Sequence, residues 1–257
     1  KEYDLLEEYA TSHNFLALAN CLRTSNRIYR EFVRLEFPYP LHKEAKQAAA
    51  LAYRLGNPKK NVVFLVDRGG RLSDDDMIIV RDTLLSVVVE SGAVFRWDKF
   101  SLMAYSNDVI SYQSLRARGT DTDAIAEVFH NLDFPVGGSA FYDGICAAFD
   151  ELETASKWET RWVFCIATGK DNQSVLQLEH VLQQLEQEGF SVFVIIVALD
   201  VASDNLADFA KICETARLKP NGKGVLLCAQ LSNLENICMK AARHLGQRSV
   251  TLRETIT

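Results

Sequence analysis

Four uninterrupted apolar runs, each followed by a segment with helical character, constrain this fold more than any other feature of the sequence. The runs are NVVFLV at 61–66, WVFCIAT at 162–168, FSVFVIIVAL at 190–199 and GVLLCAQ at 224–230. A continuous run of apolar and β-branched residues is typical of a strand that is covered on both faces. Strands of this kind alternating with helices predict a mostly parallel sheet between two layers of helices.

A tight strand–turn–strand adds an antiparallel part to the predicted sheet. FSLMAYS at 100–106 and the shorter DVISYQ at 108–113 are separated only by Asn107 and its neighbours, so the chain must reverse there. The predicted fold is therefore α/β: a doubly wound, mostly parallel six-stranded sheet with one short antiparallel edge strand, flanked by helices. The helices are predicted at 74–90, 121–131, 140–155, 174–188, 203–217 and 231–245.

The ends of the chain differ from this pattern. Residues 1–57 contain no strand pattern and are predicted to form a helical hairpin, with Pro38 and Pro40 between its two helices and Pro58 after it. The predicted organisation is a helical extension at 1–57, an α/β domain at 58–246 and a tail at 247–257. Packing of the hairpin on its own chain is favoured over binding a partner, and a disordered tail over a strand awaiting a partner.

Charge and hydropathy exclude some classes of protein. The net charge of −6 and the pI near 5.5 argue against a general nucleic-acid or anionic-membrane binder. No apolar run approaches the roughly 20 residues that span a bilayer. The first residues, KEYDLLEEYA, do not form a signal peptide, and a chain that starts at Lys1 is interpreted as a processed or excised portion.

The six cysteines predict a reducing, cytoplasmic location. None forms a Cys-x-x-Cys pair or lies at zinc-ligand spacing. Cys165 and Cys228 lie within strongly apolar runs, where a thiol usually acts as a small buried hydrophobic group. Reduced thiols are therefore favoured over disulfides.

Three loops are expected at one edge of the sheet, because ligands of open parallel sheets bind beyond the carboxyl ends of the strands. The first loop runs from Asp67 to Ser73, the second is PVGGSAFYDG at 135–144, and the third is ATGKDNQS at 167–174. Ser73 is placed to cap the helix that follows the first loop.

The motifs GGSAFYDG and TGKDN, together with Asp67, give residues 60–246 a resemblance to the von Willebrand factor A domain family. In that family the first loop reads Asp-x-Ser-x-Ser, the second Gly-Gly-Thr-x-Leu-Tyr-Asp and the third Thr-Asp-Gly-x-Asp-Asn. The resemblance implies a divalent-metal site formed by the three loops and a role in binding other proteins.

This sequence departs from the family's metal-binding residues. Gly69 and Arg71 occupy the two serine positions, Ser139 replaces the threonine, and Thr168 stands where the family has its second aspartate. Mg²⁺ takes about six oxygen ligands, some of them water. The sequence therefore predicts a metal site that has lost its ligands, and no cofactor.

The cations around these loops have two interpretations. We expect Arg71 to fold over Asp67 and to neutralise its carboxylate, as the metal ion would have done. Arg68, Arg71 and Lys170 could also form a pocket for a carboxylate or phosphate of a partner. The plainer and favoured interpretation is that they are solvated or internally paired surface charges.

The predicted function is non-enzymatic. No histidine joins a serine or cysteine in a nucleophile motif, and the glycines match neither a Walker nor a dinucleotide pattern. We expect a scaffold module in a larger intracellular assembly that binds unidentified proteins, without nucleic acid, small-molecule substrate or membrane insertion. The alternatives are a metal-dependent adhesion-type domain that captures an acidic residue, and a phosphate- or nucleotide-handling enzyme. The candidate partner-binding residues are Asp67, Arg68, Arg71, Ser139, Thr168, Lys170 and Asp171.

Overall fold

The computed structural model describes residues 59–91, 93–155, 159–187, 190–219 and 222–246. The predicted hairpin at 1–57 and the tail at 247–257 lie outside the described residues. The domain boundary near residue 58 therefore stays a prediction.

Six strands form a single sheet in the described part of the chain. They are β1 Lys60–Asp67, β2 Lys99–Tyr105, β3 Val109–Ala117, β4 Thr160–Ala167, β5 Phe193–Leu199 and β6 Lys223–Ala229. Their spatial order is β3-β2-β1-β4-β5-β6, and all neighbours are parallel except β2 and β3. The predicted α/β fold with an antiparallel edge strand is confirmed, although β3 has nine residues and is longer than expected.

The predicted helices are present; α1 starts at the predicted residue, and the other five start one to four residues later than predicted. They are α1 Asp74–Val89, α2 Thr122–His130, α3 Phe141–Glu153, α4 Leu178–Glu186, α5 Ala207–Leu218 and α6 Leu234–Gly246. The start of α4 lies four residues later than the predicted 174, and the N–H groups of Ser174, Val175 and Leu176 donate to the carboxylates of Asp171 and Asp143. None of the described helices has both the length and the apolar character needed to cross a bilayer.

The sheet separates two apolar cores. Val62, Phe64 and Val66 of β1 face the core that is closed by α1, α2 and α6. Val63 and Leu65 face the core closed by α3, α4 and α5. All of β1 is buried, which agrees with a central strand covered on both faces. Its carboxyl end, where the first loop begins, is therefore held rigidly from both sides.

A capping box fixes the start of α1 directly after the first loop. The Ser73 hydroxyl accepts the N–H of Asp76 at 3.2 Å, and the Asp76 carboxylate accepts the N–H of Ser73 at 2.9 Å. Hydrogen bonding of the Asp76 carboxylate to the backbone N–H of Ser73, and to a lesser extent to the Ser73 side chain, lowers the pKa of Asp76. The predicted role of Ser73 as a helix cap is confirmed.

The described cysteines are all free, but their burial differs from the prediction at one position. Cys146, Cys165, Cys213 and Cys238 are buried, whereas Cys228 is exposed. Cys228 lies on β6, the last strand of the sheet, so the apolar run around it is covered less completely than that of a central strand. The prediction that Cys228 is buried is wrong for this reason.

Candidate functional site

The three loops meet beyond the carboxyl ends of β1 and β4. Backbone hydrogen bonds join the first loop to the second, from Gly70 N–H to the Gly137 carbonyl at 2.9 Å. They join the third loop to the second, from Asn172 N–H to the Ser139 carbonyl at 3.0 Å. Segments that are far apart in the sequence thus form one surface at the edge of the sheet.

Asp67 lies beneath this surface and is fully buried. Its Oδ1 accepts the N–H of Gly69 at 2.8 Å. Its Oδ2 accepts the Ser139 hydroxyl at 3.1 Å, the Thr168 N–H at 3.1 Å and the Thr168 hydroxyl at 2.8 Å. The structure therefore brings three of the predicted residues into contact, one from each loop, around a single carboxylate.

The surroundings of Asp67 determine the pKa of its carboxyl group. Burial raises the pKa of this carboxyl, and the hydrogen bonds from Gly69, Thr168 and Ser139 lower it by less. All four donors are neutral, so they solvate the carboxylate without balancing its charge. Ionisation of Asp67 therefore costs more free energy in the folded chain than in water.

Arg71 does not take the position that the sequence suggested. Its Nη1 lies 3.4 Å from the Thr168 carbonyl, and its guanidinium covers Gly169, where a Cβ would be 2.8 Å from the guanidinium carbon. Among the described residues, no ion pair within 4.0 Å joins Arg71 to Asp67. The expected pairing is wrong because Asp67 lies below the loop backbone, and both of its oxygens already accept hydrogen bonds.

Arg68 is separated from the other two cations. It is buried, and its Nη1 lies 3.6 Å from Oδ2 of Asp133, just beyond the end of α2. The Nε atom of Arg68 has no hydrogen-bond acceptor among the described residues. Arg71 and Lys170, in contrast, are exposed. The three cations that were considered for a common anion pocket thus occupy different environments.

Asp171 connects the third loop to the start of α3. Its carboxylate accepts the N–H of Tyr142 at 2.9 Å and the N–H of Ser174 at 3.2 Å, and it also accepts the Ser174 hydroxyl. The cap position of α3, Ala140, provides no side-chain acceptor of its own. Asp171 supplies the missing cap from a neighbouring loop.

Two asparagines and a second aspartate complete the connections between the loops. Asn107 accepts the N–H of Gly138 at 2.7 Å, and Asn172 accepts the N–H of Ser139 at 2.8 Å. Asp143 accepts the N–H groups that follow Ser174. Sequence reasoning did not select these residues, although the motifs YDG and KDN contain two of them. The motifs therefore contained Asp143 and Asn172, but the sequence did not show which N–H groups these side chains accept.

The glycines of the loops serve close backbone packing. A Cβ on Gly69 would lie 2.7 Å from the Gly138 carbonyl oxygen and 3.0 Å from Oδ1 of Asp67. Gly137 has a φ of +77°, a conformation that favours glycine. The serine that the family has at position 69 would therefore not fit this arrangement of the loops.

The donor set at Asp67 does not fit a Mg²⁺ ion. Such an ion takes about six oxygen ligands in near-octahedral geometry. Here the hydroxyls of Ser139 and Thr168 converge on one carboxylate, and each hydroxyl donates a hydrogen bond to that carboxylate. Among the described residues, no cluster of three or more His, Cys, Asp or Glu side chains could hold a metal.

The fold and the loop motifs define a von Willebrand factor A type domain. The family model of the von Willebrand factor type A domain matches residues 61–219, and the chain belongs to this family. Domains of this family generally act in protein–protein interaction and not as enzymes. No curated protein sequence matches the chain closely enough to be counted as a relative.

Solved structures share the fold at low sequence identity. The PilB minor pilin from Streptococcus sanguinis has a TM-score of 0.56 and 12% identity, covering 73% of this chain and 61% of that chain. A von Willebrand factor type A protein from Catenulispora acidiphila has a TM-score of 0.56 and 15% identity, with 73% and 43% covered. The SpRpn10 VWA domain has a TM-score of 0.51 and 16% identity, with 69% and 94% covered. This chain thus spans less than two thirds of the pilin and of the Catenulispora protein.

Proposed function

We propose that this chain is a non-enzymatic protein-interaction module whose von Willebrand factor A domain works without a metal ion. The observation that carries the proposal is the state of Asp67, whose carboxylate accepts four hydrogen bonds from its own chain. In the family's metal site the aspartate at this position belongs to the group of residues that bind the ion. Here Ser139 and Thr168 hold the three loops together through Asp67, and the loops need no cation to do so.

The chemistry of the buried cysteines supports a non-enzymatic role. Burial raises the pKa of the Cys146, Cys213 and Cys238 thiols to about 12. Burial also raises the pKa of the Cys165 thiol well above its ordinary value. The thiolate is the reactive form of cysteine, and these groups stay protonated at neutral pH. They pack in the core and do not act as nucleophiles.

The proposed binding surface is the loop rim. Five large apolar side chains are strongly exposed in the described part of the chain. Val136 lies on the second loop, Phe134 directly precedes that loop, and Val175 directly follows the third loop. Arg71 and Lys170 are exposed on the first and third loops, and Lys170 makes no ion pair with a described residue. Exposed apolar side chains beside neighbouring loops are consistent with a surface that binds a partner. Asp67, Ser139, Thr168 and Asp171 shape the rim from below.

The cellular location of the module is part of the same proposal. We place it in a larger intracellular assembly, because all five described cysteines are free thiols, as expected in a reducing compartment. The helical extension at 1–57 and the tail at 247–257 are proposed as additions to the α/β domain. Measuring the redox state of the cysteines by thiol labelling of cell extracts tests the location, and extensive disulfide formation would contradict it.

Calorimetric titration with MgCl₂ and MnCl₂ tests metal independence. We expect no saturable binding, because the donor set around Asp67 is too small and is already hydrogen bonded. A micromolar affinity that disappears in Asp67→Ala would establish the alternative, a metal-dependent adhesion-type domain.

Affinity capture with the whole chain tests the rim. We expect an Arg71→Glu, Lys170→Glu double variant to lose partners that the wild type retains in EDTA. The matched control is Lys211→Glu, an exposed charge on α5. If the double variant and the wild type recover the same partners, the rim is not the binding surface.

A further inference from the structure

Two apolar side chains, separated by one residue in the sequence, are exposed on the segment between α2 and α3. Phe134 is 55% exposed and Val136 is 51% exposed. The Val136 N–H donates to the Arg68 carbonyl at 2.8 Å, so this segment lies over the end of β1. The apolar pair is therefore held at a fixed place next to the first loop.

The buried arginine beneath this segment has one donor without a partner. Arg68 is 6% exposed, and its buried Nε has no hydrogen-bond acceptor among the described residues. Its one acidic contact is Asp133, with Nη1 and Oδ2 3.6 Å apart. The same Oδ2 accepts the Tyr112 hydroxyl at 2.8 Å, and the Asp133 side chain is 62% exposed. Asp133 thus contacts Arg68 at ion-pair distance while most of its side chain faces solvent.

This state of Arg68 is energetically unusual. A guanidinium has five N–H donors in a rigid planar fork, and burial of such donors without acceptors is unfavourable. A carboxylate matches the fork with two parallel, charge-assisted hydrogen bonds. The unpaired Nε donor of Arg68 therefore favours a carboxylate as the group that would bind there.

We propose that Arg68, Tyr112, Asp133, Phe134 and Val136 form a docking site, the Arg68 patch, for an acidic side chain and an adjoining apolar side chain of a protein partner. The inference deepens the proposed interaction function and rests on it. The partner's carboxylate binds the guanidinium of Arg68 while Asp133 turns outward, and its apolar side chain covers Phe134 and Val136. The positive charge and the apolar surface together define the partner's chemistry.

The patch is distinct from the other cations of the rim. Arg71 lies on the Thr168 carbonyl and Lys170 on the third loop, whereas Arg68 lies beside the segment that follows α2. The site also differs from the carboxylate pocket of Asp67, which already has four hydrogen-bond donors. Substitutions can therefore separate the three surfaces.

Selection from a phage-displayed library of short random peptides, in EDTA, tests the proposal. Wild-type protein is the bait, and Arg68→Gln protein is used to remove peptides that bind elsewhere. We expect the enriched peptides to carry Asp or Glu next to an apolar residue. Fluorescence anisotropy with the best peptide should show an affinity loss of about tenfold or more in Arg68→Gln. Changing the peptide's acid to its amide should cause a similar loss, and the two losses should not add.

Two further variants distinguish a loss of peptide binding from a loss of folding. Phe134→Ser changes an exposed side chain and should also weaken the peptide, with an unchanged thermal midpoint. Lys211→Gln removes an exposed charge on α5, away from the patch and the rim, and is the control that should leave the affinity unchanged. NMR of the Arg68 Nε–H should show a downfield shift when the peptide is added. Enriched peptides without an acid, failure to enrich any peptide, or equal binding by wild type and Arg68→Gln would each overturn the patch.

The same experiment separates the patch from the proposed function. Binding that needs Mg²⁺ would refute metal independence, whichever residue the peptide contacts. Metal-independent binding that is insensitive to Arg68 but lost in Arg71→Glu, Lys170→Glu would refute the patch and support the rim alone.

Discussion

Thr168 donates both its backbone N–H and its hydroxyl to one carboxylate oxygen of Asp67, at 3.1 and 2.8 Å. Thr168 directly follows β4, and Asp67 is the last residue of β1; the two strands are neighbours in the sheet. Ser139 adds a donor from the second loop to the same oxygen. Asp67 is therefore the point at which the three loops are joined, and its removal has consequences for the fold as well as for the site.

Asp67→Ala should lower the free energy of unfolding by about 3 kcal/mol. The hydroxyls of Ser139 and Thr168 can rotate to other acceptors, but the N–H groups of Gly69 and Thr168 would remain buried without one. The free-energy cost of leaving these two N–H groups without acceptors is larger than the gain from no longer burying a carboxylate. Urea unfolding measures the change. The control is Asp74→Ala, an exposed first-turn residue, which should change stability by less than about 1 kcal/mol; equal effects of the two substitutions would show that Asp67 does not join the loops.

The raised pKa of Asp67 gives stability a defined pH dependence. Because the folded pKa lies above the unfolded value of about 3.8, the folded chain binds the proton more tightly than the unfolded chain. The contribution of this group is complete below the unfolded pKa and is lost as the pH rises through the folded pKa.

Asp67→Asn isolates this effect, because the amide does not titrate. The free energy of unfolding of the wild type, relative to Asp67→Asn, should therefore fall as the pH is raised from about 3.8. Chemical denaturation at a series of pH values measures the difference. A relative stability of the wild type that rises over this window would mean that the four hydrogen bonds lower the pKa more than burial raises it.

Restoring a serine to the first loop should harm the fold without creating a metal site. In Gly69→Ser the new Cβ would lie 2.7 Å from the Gly138 carbonyl oxygen, so the loop backbone must shift. We expect a loss of about 1–3 kcal/mol and no gain of Mg²⁺ affinity by calorimetry. Gly70→Ser is the matched control, because position 70 is exposed and its Cβ would be 3.2 Å from the Gly137 carbonyl oxygen. A stable Gly69→Ser variant that binds Mg²⁺ would contradict both the packing argument and metal independence.

The sequence predicts the strands well, because a covered strand needs a continuous apolar run and little else in this chain has that pattern. It also places Asp67, Ser139 and Thr168 in loops at one edge, since parallel strands end together. It does not predict where Arg71 and Arg68 point. Each side chain contacts a residue that is far away in the sequence: Arg71 contacts Thr168, and Arg68 contacts Asp133. The exposure of Cys228 was missed for a similar reason, because only the strand order shows that its strand lies at an edge.

Asp171→Ala should destabilise the start of α3. The Tyr142 N–H lies in the first turn of that helix and has the Asp171 carboxylate as its acceptor, while the helix has no side-chain cap of its own. Loss of a capping acceptor costs about 1–2 kcal/mol, and hydrogen exchange of the Tyr142 amide should become faster than in the wild type. Asp171→Asn keeps one acceptor oxygen and should recover part of the loss. Glu179→Ala, in the exposed first turn of α4, is the control and should leave Tyr142 protected. If Asp171→Ala leaves the exchange of Tyr142 unchanged but weakens partner binding, Asp171 acts at the rim as a contact residue and not as the cap of α3.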